Sequence, residues 1–421
     1  MKRGIVIISY LILQSSALSA EFAGGTGEPN DPYQIATAEQ LIAIGTDRDL
    51  LVKSFVLIAD IDLDPNLPDG RVFTDALIAQ DDSNNINAHK GVFFQGILNG
   101  QGHTIANLHI EGQHGYDAGL FGVLDGLVKD LHLTDVVVSG TPCGAIAGMN
   151  GGGGVILRCS VTGYVSGIRD IGGLAGFSDG SLVECRGEVQ VTGGECIGGM
   201  VGRGGNLMRC EVQANVSGQQ NVGGLIGSCD SLGSQITECS MTGTVTGNDN
   251  VGGLIGDSLD AIILRSSAIC EINAEQTAGG LVGHTGLLLM DCYFKGSIAG
   301  STVGGLVGKT MRTHTINCYA AWEILPLEAD AIDSLVGGLF GDKSRTPMTI
   351  ACFWDTELSG VTTSAGSGQM EFGTGLSTEQ MQDEMTFRNA GWDFDHIWTI
   401  SEDEYPKLQW EITEDEAVAT P

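Results

Sequence analysis

A five-residue motif recurs nine times between residues 118 and 341: two small residues, an apolar pair, then a closing glycine. It reads Ala118-Gly-Leu-Phe-Gly122, Gly144-Ala-Ile-Ala-Gly148, Gly172-Gly-Leu-Ala-Gly176, Gly198-Gly-Met-Val-Gly202 and Gly223-Gly-Leu-Ile-Gly227. It continues as Gly252-Gly-Leu-Ile-Gly256, Gly279-Gly-Leu-Val-Gly283, Gly304-Gly-Leu-Val-Gly308 and Gly337-Gly-Leu-Phe-Gly341. The first eight closing glycines stand 25 to 29 residues apart, and the last follows after 33. A unit of that length cannot bury a core alone, so a fixed period in the twenties implies stacked repeats that share one.

Between the motifs lie short runs such as Val189-Gln-Val-Thr192 and Thr244-Val-Thr246. β-branched residues between glycines suit strands and turns, not helices. Leucines at several fixed offsets with an Asn ladder, the mark of a leucine-rich repeat, are absent. The reading is an all-β, right-handed parallel β-helix of nine to ten coils with short helical caps. Each coil is expected to hold three short strands and three turns, and the winding follows crossover chirality.

Two ladders run through the second half of each repeat. Cys159, Cys185, Cys210, Cys239, Cys292 and Cys318 occupy one slot, Ser266 fills it once, and Cys352 extends it. The residue before each alternates in sign: Arg158, Glu184, Arg209, Glu238, Arg265 and Asp291, then neutral Asn317. If both slots lie on one strand, adjacent residues face opposite sides, with thiols inward and charges outward. Neighbouring coils about 4.8 Å apart then set each charge against its opposite, which fixes register. A stack of reduced buried thiols, disulfides between adjacent coils, and metal binding are three readings of the Cys slot. A slot that tolerates Ser favours the first. Cys143, Cys196, Cys229 and Cys270 lie off the ladder.

At the Gly224-Leu-Ile-Gly227 and Gly305-Leu-Val-Gly308 cores the chain resembles the GLUG-motif family, over roughly residues 118–341. Such repeats occur in bacterial extracellular and surface proteins, including some immunoglobulin A metalloproteases and adhesin-like proteins. The resemblance implies export and a β-helical stalk or binding surface, not an activity. The zinc-protease pattern His-Glu-x-x-His is absent, since no His precedes Glu.

A net charge of −32 with only 20 Lys and Arg excludes a nucleic-acid binder, which needs clustered cations. Lys2 and Arg3, the apolar stretch Ile5 to Leu13 and small residues to Ala20 read as a signal peptide over 1–20. No later segment reaches the unbroken apolar length of a membrane span, so the expected mature chain is secreted or at the cell surface, with no transmembrane segment.

Residues 21–117 are expected to form an N-terminal cap and the first coils, 118–341 the repeats, 342–412 a C-terminal cap and 413–421 a disordered tail. Thr37-Ala-Glu-Gln40 predicts a capped short helix, Ser54 to Leu63 a strand, and Thr378 to Met385 a helix. The segment Gly96 to Ile105 resembles a turn-and-strand element of pectin-lyase-type β-helix enzymes. The aromatic residues Trp354, Phe372, Trp392, Phe394, Trp398 and Trp410 suggest the cap, or else a binding module with exposed Trp.

Candidate chemistry is sparse. Asp60, Asp62 and Asp64 alternate with apolar residues and could share a strand face able to hold Ca²⁺, though without the EF-hand glycine and glutamate. Asp81 and Asp82 fall in a presumed loop without a role. His103, His109, His114 and His132 cluster in sequence at outward-looking strand positions. The expectation is a non-catalytic structural or adhesive protein that presents a polar, Ser- and Thr-bearing face to an extracellular glycan or protein partner. The alternative is a polysaccharide lyase or hydrolase with its site on the N-terminal coils.

Overall fold

The computed structural model describes residues 21–412 except 81–91, 113–116, 231–232, 287, 312, 326–333, 344–346 and 368–371. The signal-peptide and tail readings, with Asp81, Asp82 and His114, lie outside the described residues.

The chain forms a parallel β-solenoid with three sides: sheets of 19, 13 and 7 strands, here the first, second and third sheet. One coil shows the path. Gln220–Gly223 lies in the third sheet, Ile226–Cys229 and Gln235–Thr237 in the first, and Ser240–Gly247 in the second. The next third-sheet strand is Asp249–Gly252. The first side thus takes two strands in most coils, not the single one expected, because a bend divides it. In two coils the halves merge into Ala175–Val183 and Val201–Met208. The third side extends below its seven strands through the isolated bridges of Cys143 to Ala118 and to Ile171.

The described strands of the stack pair in parallel and in register, apart from shifts between Val161 and Gly163 and between Ser178 and Ser181. Val191, Val216, Val245, Ile272 and Ile298 align in one column of the second sheet. Their side chains are buried, and outward-facing residues alternate with them.

The motif glycines are explained by crowding. A Cβ on Gly253 would lie 2.2 Å from the carbonyl oxygen of Gly280, and one on Gly280 would lie 2.0 Å from that of Gly305. The preceding glycine is blocked within its own coil: on Gly252 a Cβ would lie 2.1 Å from the Ile255 oxygen. The closing glycine meets the coil below, where Gly256 would come 2.4 Å from the Asn221 carbonyl carbon. The motif is therefore a corner where the backbones of successive coils nearly touch. Between the glycines, Leu225, Leu254, Leu281 and Leu306 stack fully buried.

The charge slot is not on a strand. Asp130, Arg158, Glu184, Arg209, Glu238, Arg265, Asp291 and Asn317 all have φ between 45° and 55°. Each forms a left-handed corner between the first and second sheets. The thiols still point inward and the charges outward, but the corner directs them, not strand alternation.

The ends depart from expectation in three places. Ser54 to Leu63 splits into Ser54–Leu57 and Ile61–Asp62, broken where Ile58 turns outward. The helix Ala38–Ala43 has Thr37 as its cap, but the Gln40 side chain accepts from Ala36 N–H. The helix expected over Thr378 to Met385 is two, Thr378–Met381 and Glu384–Asn389, because the Asp383 carboxylate caps the second.

The C-terminal region divides its work. Trp354, Val361, Ala365 and Phe372 join the main core and close the last coil. Residues from Leu376 onward fold back along the outer face of the second sheet, where Tyr293, Tyr319 and Phe353 form one outward column. Met381, Phe387, Trp392, Trp398 and Leu408 bury this column. Trp354, Trp392 and Trp398 are buried, which removes them as an exposed binding module.

Candidate functional site

Asp60, Asp62 and Asp64 do not converge. Asp60 accepts from Thr104 N–H at 2.9 Å and meets His103 Nδ1 at 3.0 Å. These contacts, the backbone bond first, hold its carboxyl below the usual range. Asp62 accepts from the Asn107 amide at 2.8 Å, and Asp64 from both nitrogens of Asn66. Each carboxylate serves its own turn. Among the described residues no three His, Cys, Asp or Glu side chains gather as metal ligands would. A cleft of about 730 Å³ does lie beside them, between Ile42 on the first helix and Leu67 and Phe73.

The Cys ladder is a column of free, buried thiols. Cys159, Cys185, Cys210, Cys239, Cys292, Cys318 and Cys352 each donate to the carbonyl two residues earlier, at 3.2–3.5 Å. Burial pushes the Cys159 and Cys210 thiols well above their usual range, and a hydrogen bond with Cys210, with burial second, raises Cys185. Free thiols buried and bonded to the backbone in this way form a column of the core.

The charge slot forms a continuous edge. Arg158 grips Asp130 through two nitrogens at 2.7 and 3.1 Å. Arg209 reaches Glu184 at 3.4 Å and Glu238 at 3.0 Å, and Arg265 reaches Glu238 at 3.0 Å. Asn317 then donates to Asp291 at 3.0 Å. Asp130 opens the ladder, and the sequence reading missed it. It stands in the same slot one repeat before Arg158, although the slot after it holds Leu131 and not Cys. Asp291 is buried against Trp398, and desolvation raises its pKa despite the Asn317 and Trp398 hydrogen bonds.

The outer face of the second sheet carries columns of polar residues. One column reads Ser139, Ser166, Thr192, Ser217, Thr246 and Asn273. Another reads Tyr164, Gln190, Asn215, Thr244 and Glu271. A third reads His132, Ser160, Arg186, Glu211 and Ser240, and runs on as Ser267, Tyr293 and Tyr319 beneath the C-terminal segment. Of the clustered histidines, His132 bonds Ser160 Oγ at 2.6 Å, His103 bonds Asp60, and His109 stands 3.5 Å from Glu111. They do not form one site.

The C-terminal segment is fastened at its far end. The Glu411 carboxylate accepts from Ser267 Oγ and, at 2.8 Å, from Tyr293 Oη. Trp410 donates its indole N–H to Arg265 O at 2.9 Å, and Tyr319 Oη donates to Pro406 O at 2.5 Å. Burial raises the Glu411 pKa, with the hydrogen bonds opposing it. Beyond this clasp, toward the N-terminus, the face lies open in two adjoining hollows of about 520 and 400 Å³. No described helix is long and apolar enough to cross a membrane.

No family model matches the chain. It is 33% identical over 443 residues to the "Putative Gly-rich membrane protein" of Evansella cellulosilytica, covering 96% of this chain and 47% of that protein. It is also 33% identical over 186 residues to "Halomucin" of Haloquadratum walsbyi, covering 42% of this chain and 2% of that protein. The chain thus spans about half the length of the first relative and a small fraction of the second. Among solved structures, a "putative immunoglobulin A1 protease" from Bacteroides ovatus aligns over 93% of this chain and 96% of that one, at 19% identity and a TM-score of 0.44.

Proposed function

We propose that this is a secreted or cell-surface repeat protein of the GLUG type, a rigid β-solenoid that presents one polar side to an extracellular glycan or protein partner and catalyses nothing. The observation that carries the reading is the outer face of the second sheet. From Ser139 to Asn273 one column holds only Ser, Thr and Asn over six consecutive strands, and the columns beside it are mostly polar. Hydroxyl and amide groups at a spacing of about 4.8 Å favour many weak contacts with a repetitive surface over one buried ligand. The relatives named as a membrane protein and a halomucin agree with a place outside the cytoplasm.

The test is a panel of neutral and acidic polysaccharides, together with intact bacterial and host cells. Each sample is assayed for retention of the protein and for released reducing ends or unsaturated products. Retention on at least one surface without product formation is expected. Product from any polymer would replace this reading with a polysaccharide-active enzyme.

A further inference from the structure

We infer that the groove in front of the C-terminal clasp is a binding site for a neutral glycan chain, an inference that rests on the glycan branch of the proposed function. The two hollows share Ser160, Arg186 and Glu211 and form one trough along the coil stack. Its axis follows the column His132, Ser160, Arg186, Glu211 and Ser240. Five strands spaced about 4.8 Å apart give it a length of about 19 Å, room for several linked pyranose rings. The corner ladder forms one bank, and Trp410 stands at the end where the C-terminal segment begins to cover the sheet.

The chemistry of the lining selects the ligand. Three guanidiniums, of Arg158, Arg186 and Arg209, face four carboxylates, of Glu184, Glu188, Glu211 and Glu238. Most of these are already paired with each other, as Arg186 is with Glu211 at 3.4 Å. A polyanion would add to a chain of net charge −32, and a polycation would meet guanidiniums already seated on Glu184, Glu211 and Glu238. Vicinal hydroxyls need neither, because planar guanidinium and carboxylate groups can donate to and accept from a diol while staying paired. The only polar atom of the Trp410 side chain is spent on Arg265 O, so what it offers the groove is ring surface, against which the C–H face of a sugar can stack. A peptide fits less well. The second-sheet backbone is paired on both sides along the stack, leaving no edge for an added strand.

The experiment is affinity electrophoresis of the full chain in gels containing hydroxyethylcellulose or galactomannan, with polygalacturonate and chitosan as charged controls. A neutral polymer should retard the protein. Arg186→Ala and Trp410→Ala should each weaken that retardation about tenfold, while Gln235→Ala, exposed on the first sheet, should leave it unchanged. Should Trp410→Ala loosen the clasp, seen as faster hydrogen exchange of the C-terminal segment, Arg186→Ala with Glu211→Gln decides alone. The inference is overturned if neither neutral polymer retards the protein, if polygalacturonate retards it equally, or if the groove variants behave as wild type. Retention on cells that persists in the groove variants would overturn this site while leaving the proposed function standing. Loss of retention on every surface would sink both.

Discussion

The hydroxyl of Ser266 accepts the backbone N–H of Cys239 at 3.1 Å and donates to the carbonyl of Leu264 at 2.9 Å. It makes the same local bond that the thiols of its column make, only shorter. Ser266→Ala should therefore leave a buried N–H unpaired and cost about 1–3 kcal/mol in urea unfolding. Cys210→Ser should cost less, about 1 kcal/mol, since the hydroxyl can take over the bond to Met208 O. All eleven thiols should resist alkylation in the native protein and label fully after unfolding without reductant. A labelling count lower by two would reveal a disulfide.

Arg209 stands between Glu184 and Glu238, so Arg209→Glu puts three carboxylates in succession along one edge. The melting temperature should fall, and the difference from wild type should shrink at about 1 M salt, where the Debye length is about 3 Å. A difference insensitive to salt would mean that the corner backbone, and not the charge, sets the effect.

Gly253 tests the crowded corner. Gly253→Ala aims a methyl group at the Gly280 carbonyl and should cost more than about 4 kcal/mol or abolish folding. Gly152→Ala, where nothing lies within 4 Å of the added carbon, should stay within about 0.5 kcal/mol of wild type.

The Glu411 clasp should respond to pH. Its pKa is raised in the folded protein, so between the unfolded value near 4.5 and the raised folded one the docked state holds the extra proton. Docking is then strongest at and below about pH 4.5 and weakens as pH rises through the folded pKa. Glu404, held low first by its hydrogen bond to Lys407, acts in the opposite sense below pH 4.5. Hydrogen exchange of the C-terminal segment between pH 5 and 8 should show slower opening at the acidic end, corrected for intrinsic rates. Glu411→Gln should flatten that trend.

Tyr319 anchors the same segment from below. Tyr319→Phe should cost about 1 kcal/mol by leaving Pro406 O without its donor. Tyr319→Ala should cost about 3–5 kcal/mol, because it empties the centre of the aromatic column. Tryptophan fluorescence against urea separates the two.

The repeat period, the inward thiols and the alternating charges were legible because stacking in register repeats them at fixed offsets. The left-handed corners were not. Arg, Glu and Asp fill them where glycine would announce a positive φ, and the strain of an L-residue there is about 1–2 kcal/mol. The ion pairs between corners help to explain why side chains are kept. The fold-back of the C-terminal segment was missed, although the sequence held a signal. At the outward slot where earlier coils carry Ser160, Arg186, Glu211 and Ser240, the last ones carry Tyr293, Tyr319 and Phe353. Aromatics at an outward position ask for a cover. The Asp60, Asp62 and Asp64 pattern misled because alternation shows which face a carboxylate occupies, but not which local donor claims it.

The return of the chain from Leu376 to Trp410 also sets how the rod bears force. Tension applied at the C-terminus does not peel the last coil from its neighbour one hydrogen bond at a time. It pulls a strap lying across several coils, and the aromatic column beneath must slide as a unit before any coil is loaded.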